Sequence, residues 1–282
     1  MKLVCRNKTL DLATPAVMGI LNVTPDSFSD GGRHLLRDVA IAAGLRMVEE
    51  GAAIVDVGGE STRPGAAAIS VDEELERVLP VVEALLARSD AVISVDTSKP
   101  EVIAAVLDAG AHLINDVRAL SVPGALAVAA AGGAAVCVMH MQGEPATMQA
   151  NPQDKDVVGE VHAFLAERIA ACLAAGIAPD AVCVDPGIGF GKRPEHNLAL
   201  VRRLRDFTDL RVPLLVGVSR KALIGIITGR PASERLAGSV ALAALCVERG
   251  AAIIRAHDVA ATVDAVKIAS ALAWPHKNDM EH

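Results

Sequence analysis

Six short apolar runs of strand length end at a side chain that can carry charge or form strong hydrogen bonds. A turn rich in Gly, Pro, Ser or Asp follows each run at once. Because the carboxyl ends of parallel strands meet at one edge of a sheet, such residues predict an active site assembled from several strands. The six positions are Asn22, Asp96, Asn115, Asp185, Ser219 with Lys221 just beyond it, and Arg255.

Two of these residues are acids at the ends of otherwise apolar runs. Asp96 and Asp185 would enter a partly buried environment, where a carboxylate needs a positive or hydrogen-bonding partner. A helix-capping role is the alternative for each acid. We favour ligand binding because Ser98 is placed to cap the helix after Asp96, while glycines after Asp185 predict a loop. Two carboxylates beside Asn115 would suit a cationic or amidine-like heterocycle. The alternative role for Asn115 is a structural amide that bridges two strands.

Positive residues are found at the remaining strand ends. Lys221 lies at a predicted helix start, where the helix dipole favours anions, so its charge indicates a bound anion or a paired acid. Arg255 and His257 end the last predicted strand, and loops after the seventh and eighth strands commonly hold phosphate in barrels. With Arg63 and Asn22 they could surround a pyrophosphate. A buried salt bridge for Arg255 and a structural role for His257 are the alternatives.

The elements that must position these residues repeat along the chain. Four segments share a helix end, then a glycine, then a short apolar run. Glycine readily takes the left-handed conformation that closes a helix, so each following run reads as a strand. Ser70 and Ser98, each with a Glu three residues later, predict capped helix starts. The four glycines are Gly51, Gly110, Gly132 and Gly250.

Predicted strand ends near 22, 58, 96, 115, 139, 185, 217 and 255 define eight strand–helix units. Their spacing is close to the roughly 30 residues of one barrel unit, so we predict a single α/β domain over residues 1–282, an eight-stranded (β/α)₈ TIM barrel. A doubly wound open sheet is the alternative, but it would not need polar residues at nearly every strand end. Residues 1–12 predict an N-terminal β-hairpin, 142–154 a surface insertion and 275–282 a disordered tail.

Two segments are too long and too rich in Gly and Pro to be simple connections. Residues 22–33 carry Phe28 among hydroxyl groups and end in two glycines, and residues 58–65 carry Thr62, Arg63 and Pro64. Both follow predicted strands at the same face of the barrel. We expect flexible loops that close over a bound ligand. Solvated surface loops are the alternative.

Composition limits the class of protein. Hydrophobic residues make up 52% of the 282 and aromatic residues only 2%, which suits helices packed on parallel strands. A net charge of −7 argues against a general nucleic-acid surface, so a phosphate would need a local group of cations. Five cysteines without CxxC spacing predict buried, reduced thiols in a cytoplasmic protein, with a structural zinc as the alternative. We expect neither a signal peptide nor a membrane contact.

Five segments carry motifs longer than local structure requires. Two of them are Met18-Gly-Ile-Leu-Asn-Val-Thr-Pro-Asp-Ser-Phe-Ser-Asp-Gly-Gly32 and Gly58-Gly-Glu-Ser-Thr-Arg-Pro-Gly65. The others are Asp96–Pro100, Asp185–Lys192 and Gly217–Lys221. Together they resemble the signature segments of bacterial dihydropteroate synthase, a pterin-binding TIM-barrel family. The resemblance runs from Met18 to about Ala271, and the first two segments are highly specific.

The resemblance implies a transferase of folate biosynthesis that joins (7,8-dihydropterin-6-yl)methyl diphosphate to 4-aminobenzoate and releases pyrophosphate. It implies a pterin site of Asp96, Asn115, Met139, Asp185, Phe190 and Lys221. It implies a diphosphate site of Asn22, Thr62, Arg63, Arg255 and His257, with Mg²⁺ on Asn22. It implies an aminobenzoate site of Phe28, Thr62, Pro64, Phe190, Ser219 and Lys221. The catalytic residues would be Asn22, Asp96, Asp185, Lys221, Arg255 and His257.

The charges of these residues suit that reaction. Breaking the C–O bond leaves positive charge on the pterin methylene and negative charge on pyrophosphate, so acids at one end and cations with a metal at the other stabilise both. The aminobenzoate amine is neutral at pH 7 and needs no strong base. We therefore expect a dissociative path in which the loops hold the amine in position.

Other consequences of the resemblance are also expectations. The family implies a homodimer, small-molecule substrates and sensitivity to sulfonamides. Many relatives carry Ser after the last motif's Lys, where this chain has Ala222, so aminobenzoate binding would survive but weaken. A pterin-binding methyl-transfer module, which needs a corrinoid partner, and a non-catalytic paralogue are the alternatives. The intact loops argue against a paralogue.

Overall fold

The computed structural model describes residues 1–24, 33–61, 68–142 and 156–273. The chain begins with an antiparallel hairpin of β1 (Lys2–Cys5) and β2 (Lys8–Asp11). Arg6 in its turn donates to the carbonyl of Leu107 at 2.6 Å, and Lys8 donates to those of Asp90 and Ala91 at 2.6 and 3.1 Å. These carbonyls precede strands, so the hairpin covers the amino-terminal end of the sheet. The predicted hairpin is confirmed.

Eight parallel strands form the centre of the described chain. In chain order the strands are β3 (Ala16–Asn22), β4 (Ile54–Gly58), β5 (Val92–Asp96), β6 (Leu113–Asp116), β7 (Ala135–Met139), β8 (Val182–Asp185), β9 (Leu215–Gly217) and β10 (Ile253–Ala256). In spatial order, each pairs with the next from β8 through β7, β6, β5, β4, β3 and β10 to β9. A parallel bridge between Val184 and Leu214 joins the two ends, with Val184 N donating to Pro213 O at 3.0 Å. The barrel is thus closed, and the alternative of an open doubly wound sheet is wrong.

Helices alternate with these strands and bury the outer face of the barrel. Their apolar residues pack with Val, Ile, Leu and Ala of the strands in one core cluster, as the aromatic-poor composition predicts. The helices of the described residues are α1 (Arg33–Glu49), α2 (Val71–Arg88), α3 (Pro100–Asp108), α4 (Ala125–Gly132), α5 (Val157–Ala174), α6 (Pro194–Arg202), α7 (Ala222–Thr228), α8 (Leu236–Glu248) and α9 (Val259–Ala273).

The predicted strand ends agree closely with the observed ones. Six are confirmed to the residue, and β6 and β10 end one residue later than predicted, at Asp116 and Ala256. Because the eight strands are parallel, all of these ends lie at one face of the barrel. The predicted surface insertion falls on residues 142–154, of which all but Gln142 lie outside the described residues, as does the predicted tail 275–282.

Of the two predicted capped helix starts, one is confirmed and one is wrong. Ser70 caps α2 as predicted, accepting from Glu73 N at 3.1 Å. Ser98 does not cap α3: it donates instead to Asp116 Oδ1, and the N-cap residue is Lys99. Asp116 orients the Ser98 hydroxyl towards the neighbouring strand, and Pro100 at the first helical turn has no N–H for a cap to satisfy.

The glycines after helices behave largely as predicted. Gly51, Gly110 and Gly250 have φ of 100°, 107° and 98°, in the left-handed region that favours glycine. The sequence predicts Gly132 as the glycine that closes its helix, and this is one residue too early. Gly132 is the last residue of α4, and Gly133 closes the helix at φ 65°.

All five cysteines are buried, which confirms the predicted burial, and none is paired with another in a disulfide bond. They are Cys5, Cys137, Cys172, Cys183 and Cys246. Within the described ranges, the helices are too short or too polar to cross a membrane.

Candidate active site

Three side chains converge on Asp56, a fully buried acid in the middle of β4. Ser94 Oγ donates to its Oδ1 at 2.6 Å. Asn115 Nδ2 and Arg255 Nε donate to its Oδ2 at 2.9 and 2.7 Å. The carboxylate therefore links β4, β5, β6 and β10 inside the barrel. The interpretation of the sequence missed Asp56, although a lone acid within the apolar run Ile54–Gly58 was a usable signal.

Arg255 joins this acid to a second one. Its Nη2 donates to Asp96 Oδ2 at 2.9 Å. Burial raises the pKa of Asp96 to about 7, although the Arg255 charge opposes this, and Asp56 adds to the rise. Burial disfavours the charge of Arg255, yet the carboxylates of Asp56 and Asp96 raise its pKa overall. The salt bridge considered as the alternative for Arg255 is therefore present, although other guanidinium N–H groups are left for a ligand.

Asp185 and Lys221 form the other charged part of the mouth. Asp185 is 6% exposed and accepts from Gly187 N at 2.7 Å. Burial raises its pKa, while the Gly187 N–H and the Lys221 charge oppose the rise. Burial lowers the pKa of Lys221 to about 8, against the attraction of Asp185. Lys221 Nζ also lies 3.9 Å from the ring centroid of Phe190, a cation–π contact.

The loops after β9 and β10 meet at Ser219 and His257. Ser219 Oγ lies 3.0 Å from His257 Nδ1 and accepts from His257 N at 3.2 Å. The next residue, Arg220, has φ 58° and pairs through two nitrogens with Asp258. Arg220 N also donates to Ser239 Oγ at 2.9 Å. This network holds the turn that presents Lys221 at the start of α7, where Ala222 is the first helical residue.

Asn22 and Met139 end their strands beside the acids. In the β3–β4 pairing Asn22 lies opposite Gly58, and a Cβ built on that glycine would lie 3.7 Å from both Asn22 Oδ1 and Asp96 Cβ. Met139 is 4% exposed and pairs in register with Asp185. Among the described side chains, no group of three or more His, Cys, Asp and Glu could hold a metal ion.

A further charge cluster fixes the chain where the second loop begins. Lys99 Nζ donates to the carboxylates of Glu60 and Glu74, and these acids raise the pKa of Lys99 although burial opposes this. Arg77 Nη1 donates to Gly59 O at 2.8 Å. The sequence interpretation did not single out this cluster, because its members are far apart in the chain and each resembles a surface charge.

Most of the predicted site residues lie at one face of the barrel. The structure brings together Asn22, Asp96, Asn115, Met139, Asp185, Phe190, Ser219, Lys221, Arg255 and His257. Four others lie outside the described residues, namely Phe28, Thr62, Arg63 and Pro64.

Buried carboxylates and an amide at this mouth can accept hydrogen bonds from a ring rich in N–H groups. Arg255, His257 and Lys221 carry donors that can face an anion. The site can therefore bind a polar heterocycle and an anionic group at once.

Comparison with known proteins agrees with this geometry. Residues 18–257 match the family model described as pterin binding enzyme. A dihydropteroate synthase of Escherichia coli strain K12 is 55% identical over 278 residues, 99% of this chain and 99% of that protein.

Two solved structures are similar along nearly their full lengths. The Yersinia pestis dihydropteroate synthase in a sulfonamide drug complex has a TM-score of 0.92 and 52% identity, covering 96% of this chain and 99% of that one. The Xanthomonas albilineans dihydropteroate synthase in complex with 7,8-dihydropteroate has a TM-score of 0.88 and 48% identity, covering 97% and 99%. The chain therefore belongs to the pterin-binding enzyme family, among the dihydropteroate synthases.

Proposed function

We propose that the barrel mouth condenses (7,8-dihydropterin-6-yl)methyl diphosphate with 4-aminobenzoate to give 7,8-dihydropteroate and pyrophosphate. The observation that carries this proposal is the convergence of Asp96, Asn115, Asp185 and Lys221 at one mouth, in a chain half identical to dihydropteroate synthases over nearly its whole length. The 7,8-dihydropteroate bound to the Xanthomonas albilineans relative supports the choice of product.

The pterin ring would lie between the buried acids and Phe190. A pterin carries an amidine-like array of ring N–H and amino groups, which are donors for Asp185 and for the acid pair joined by Arg255. Asn115, already fixed by its bond to Asp56, would present its carbonyl oxygen. Met139 and the Phe190 ring supply the apolar contact that a flat ring needs.

The diphosphate would lie towards the cations. Two nitrogens of Arg255 are occupied by Asp56 and Asp96, and its other N–H groups are the ones that would meet phosphate oxygens. His257, held by Ser219, would add a second donor. As the C–O bond breaks, negative charge grows at this end and positive charge at the acidic end. Each developing charge then faces groups of opposite sign.

The aminobenzoate needs positioning more than chemical activation. Its amine is neutral near pH 7 and attacks once the pterin methylene becomes electrophilic. We place its ring between Phe190 and Ser219, with Phe28, Thr62 and Pro64 as further contacts. The sulfonamide in the Yersinia pestis relative supports a drug site in the same slot.

Mg²⁺ is the cofactor that we assign to the diphosphate. Asn22 Oδ1 fits such an ion, because Mg²⁺ takes oxygen ligands and this carbonyl lies at the mouth beside the side-chain-free Gly58. When bound, the ion would neutralise charge on the departing pyrophosphate. Asn22 would supply one ligand and orient that end of the substrate.

Asn22→Ala is expected to raise the Mg²⁺ concentration for half-maximal activity on the order of tenfold, the effect of a changed metal environment. The measurement is a Mg²⁺ titration of the initial rate. Asn7→Ala is the matched control, since Asn7 is exposed in the hairpin at the other end of the barrel. An unchanged titration for the Asn22 variant counts against the ligand assignment.

The reaction itself is tested by incubating the protein with the pterin diphosphate, 4-aminobenzoate and Mg²⁺. We expect pyrophosphate and 7,8-dihydropteroate in equal amounts, each dependent on both substrates. Formation of neither would support the non-catalytic alternative. A methyl-transfer module is disfavoured because it would have no use for Arg255 and His257 beside Asn22 at the mouth.

A homodimer and a cytoplasmic location complete the proposal. Large apolar side chains are exposed on consecutive late helices, namely Ile226 and Ile227 of α7, Leu236 and Leu245 of α8 and Ile268 and Leu272 of α9. Exposed apolar side chains on neighbouring helices support association of two chains. We expect sedimentation equilibrium to give twice the 29.1 kDa chain mass. Five unbridged thiols support a reducing compartment.

A further inference from the structure

The loop after β8 lies directly against the residues that follow β7. Gly187, Gly189 and Gly191 have φ of 68°, 84° and 65°, which other residues rarely adopt. A Cβ at Gly187 would lie 1.8 Å from the carbonyl oxygen of His140, and one at Gly191 would lie 2.3 Å from that of Gln142. The two backbones are in contact, so neither position accommodates a larger residue.

Lys192 is buried at this contact, with 2% of its surface exposed. Its Nζ donates to the carbonyl oxygens of Gly187 at 2.9 Å, Phe190 at 3.0 Å and His140 at 3.2 Å. The ring Nδ1 of His140 lies 2.9 Å away. A lysine ammonium can only donate hydrogen bonds, and its burial is tolerated where acceptors meet its N–H groups. Lys192 thus ties both ends of the 187–190 turn to the neighbouring segment.

The tied turn carries two groups that face the charged part of the site. Gly187 N donates to Asp185 Oδ1 at 2.7 Å. The Phe190 ring lies 3.9 Å from Lys221 Nζ. A displacement of the turn would move the amide away from the carboxylate and the ring away from the ammonium together.

We propose that Lys192 is a positioning residue for pterin binding. By holding the turn against the segment after β7, it keeps the Phe190 ring and the Gly187 amide in place around Asp185 and Lys221. This inference rests on the pterin-binding roles proposed above for Phe190 and Lys221. Lys192 acts through those groups, since its own contacts are with three backbone oxygens and the His140 ring.

The first test replaces Lys192 by methionine, which keeps most of the apolar stem of the side chain and removes the donors. Losing the bonds to Gly187 O, Phe190 O and His140 O should release the turn and raise the dissociation constant of 6-hydroxymethyl-7,8-dihydropterin by about tenfold or more, measured by calorimetry. The KM for the pterin diphosphate should rise in parallel, with kcat changing less. Lys8→Met is the matched control. Lys8 also donates to two carbonyls, but at the other end of the barrel, and its loss should leave pterin binding unchanged.

A double-mutant cycle with Phe190→Leu separates positioning from a general loss of stability. If Lys192 acts through the Phe190 ring, the double variant should bind the pterin as tightly as the single variant that has the lower affinity. Additive losses, or normal binding by Lys192→Met when Phe190→Leu binds weakly, would overturn the inference. Normal binding by Phe190→Leu itself would instead contradict the site roles on which the inference rests.

Hydrogen exchange in the unsubstituted protein adds a test that does not depend on folding of a variant. The amides of Gly187 and Phe190 are bonded to Asp185 Oδ1 and Gly187 O, so a held turn should protect both from exchange. Rapid exchange at both amides, while the barrel strands remain protected, would overturn the proposal.

Discussion

Replacing Lys221 by methionine is expected to lower kcat/KM by about a thousandfold, the scale of removing one group that stabilises charge in a transition state. Lys221 lies at the face of the Phe190 ring and within electrostatic reach of Asp185. Methionine keeps the aliphatic volume and the ring contact but leaves Asp185 without this charge. Steady-state rates of pyrophosphate release give the measurement.

The pH dependence of the rate is a second test of the role of Lys221. Burial lowers the pKa of Lys221 to about 8, so the ammonium is lost as pH rises through that value and activity should fall there. The Lys221→Met variant should lack this fall because it has no proton to lose. Lys8→Met should keep both the rate and the profile. A Lys221→Met variant with near-normal activity would remove Lys221 from the site.

The second large effect is expected for Asp185→Asn, which should weaken binding of 6-hydroxymethyl-7,8-dihydropterin by about a hundredfold. Hydrogen bonds to a carboxylate are worth about 1.5–3 kcal/mol each, and an amide of the same size replaces one acceptor oxygen with a donor. Calorimetric titration measures the dissociation constant. Tight binding by this variant would refute the role of Asp185.

Thermal unfolding separates this loss from a loss of fold. Burial raises the pKa of Asp185 above that of an unfolded chain, so ionisation of its carboxyl costs stability as pH rises above the ordinary value for Asp. A neutral asparagine removes that cost, and the variant should melt no earlier than the parent protein near pH 7. Asp180→Asn is the matched control, since Asp180 forms an exposed ion pair with Lys2 at the other end of the barrel.

The barrel could be predicted from the sequence because its strand ends are marked locally. Six apolar runs lead into a polar residue and a turn, and a run as short as Val182–Asp185 needs no long-range information to be recognised. Closed parallel strands then place all such ends at one face. The convergence of Asn22, Asp96 and Asp185 follows from the chain alone.

The partners of the charged residues inside the barrel could not be predicted, because they depend on pairing between distant strands. Asp56 meets Arg255 across 199 residues of sequence, and Ser94 and Asn115 reach it from two further strands. Local patterns describe a helix or a strand but say little about which strand lies beside it. Lys192 was recognised only as part of a motif, since its three carbonyl partners come together through the folding of two loops.

The remaining errors concern single residues at helix ends. Ser98 has the spacing of a capping box, yet its hydroxyl donates to Asp116, which lies on the neighbouring strand. At Gly132 and Gly133, either residue could close the helix, and the sequence offers no reason to choose between them. Each error displaces a helix end by one residue, and neither affects the positions of the site residues.

A crystal structure of the protein with (7,8-dihydropterin-6-yl)methyl diphosphate tests the central claim most directly. We predict the pterin ring against Asp185, Asn115 and Lys221, with the diphosphate directed towards Asn22 and the free N–H groups of Arg255. A pterin bound outside this mouth, or a diphosphate placed beside Asp185, would contradict the account.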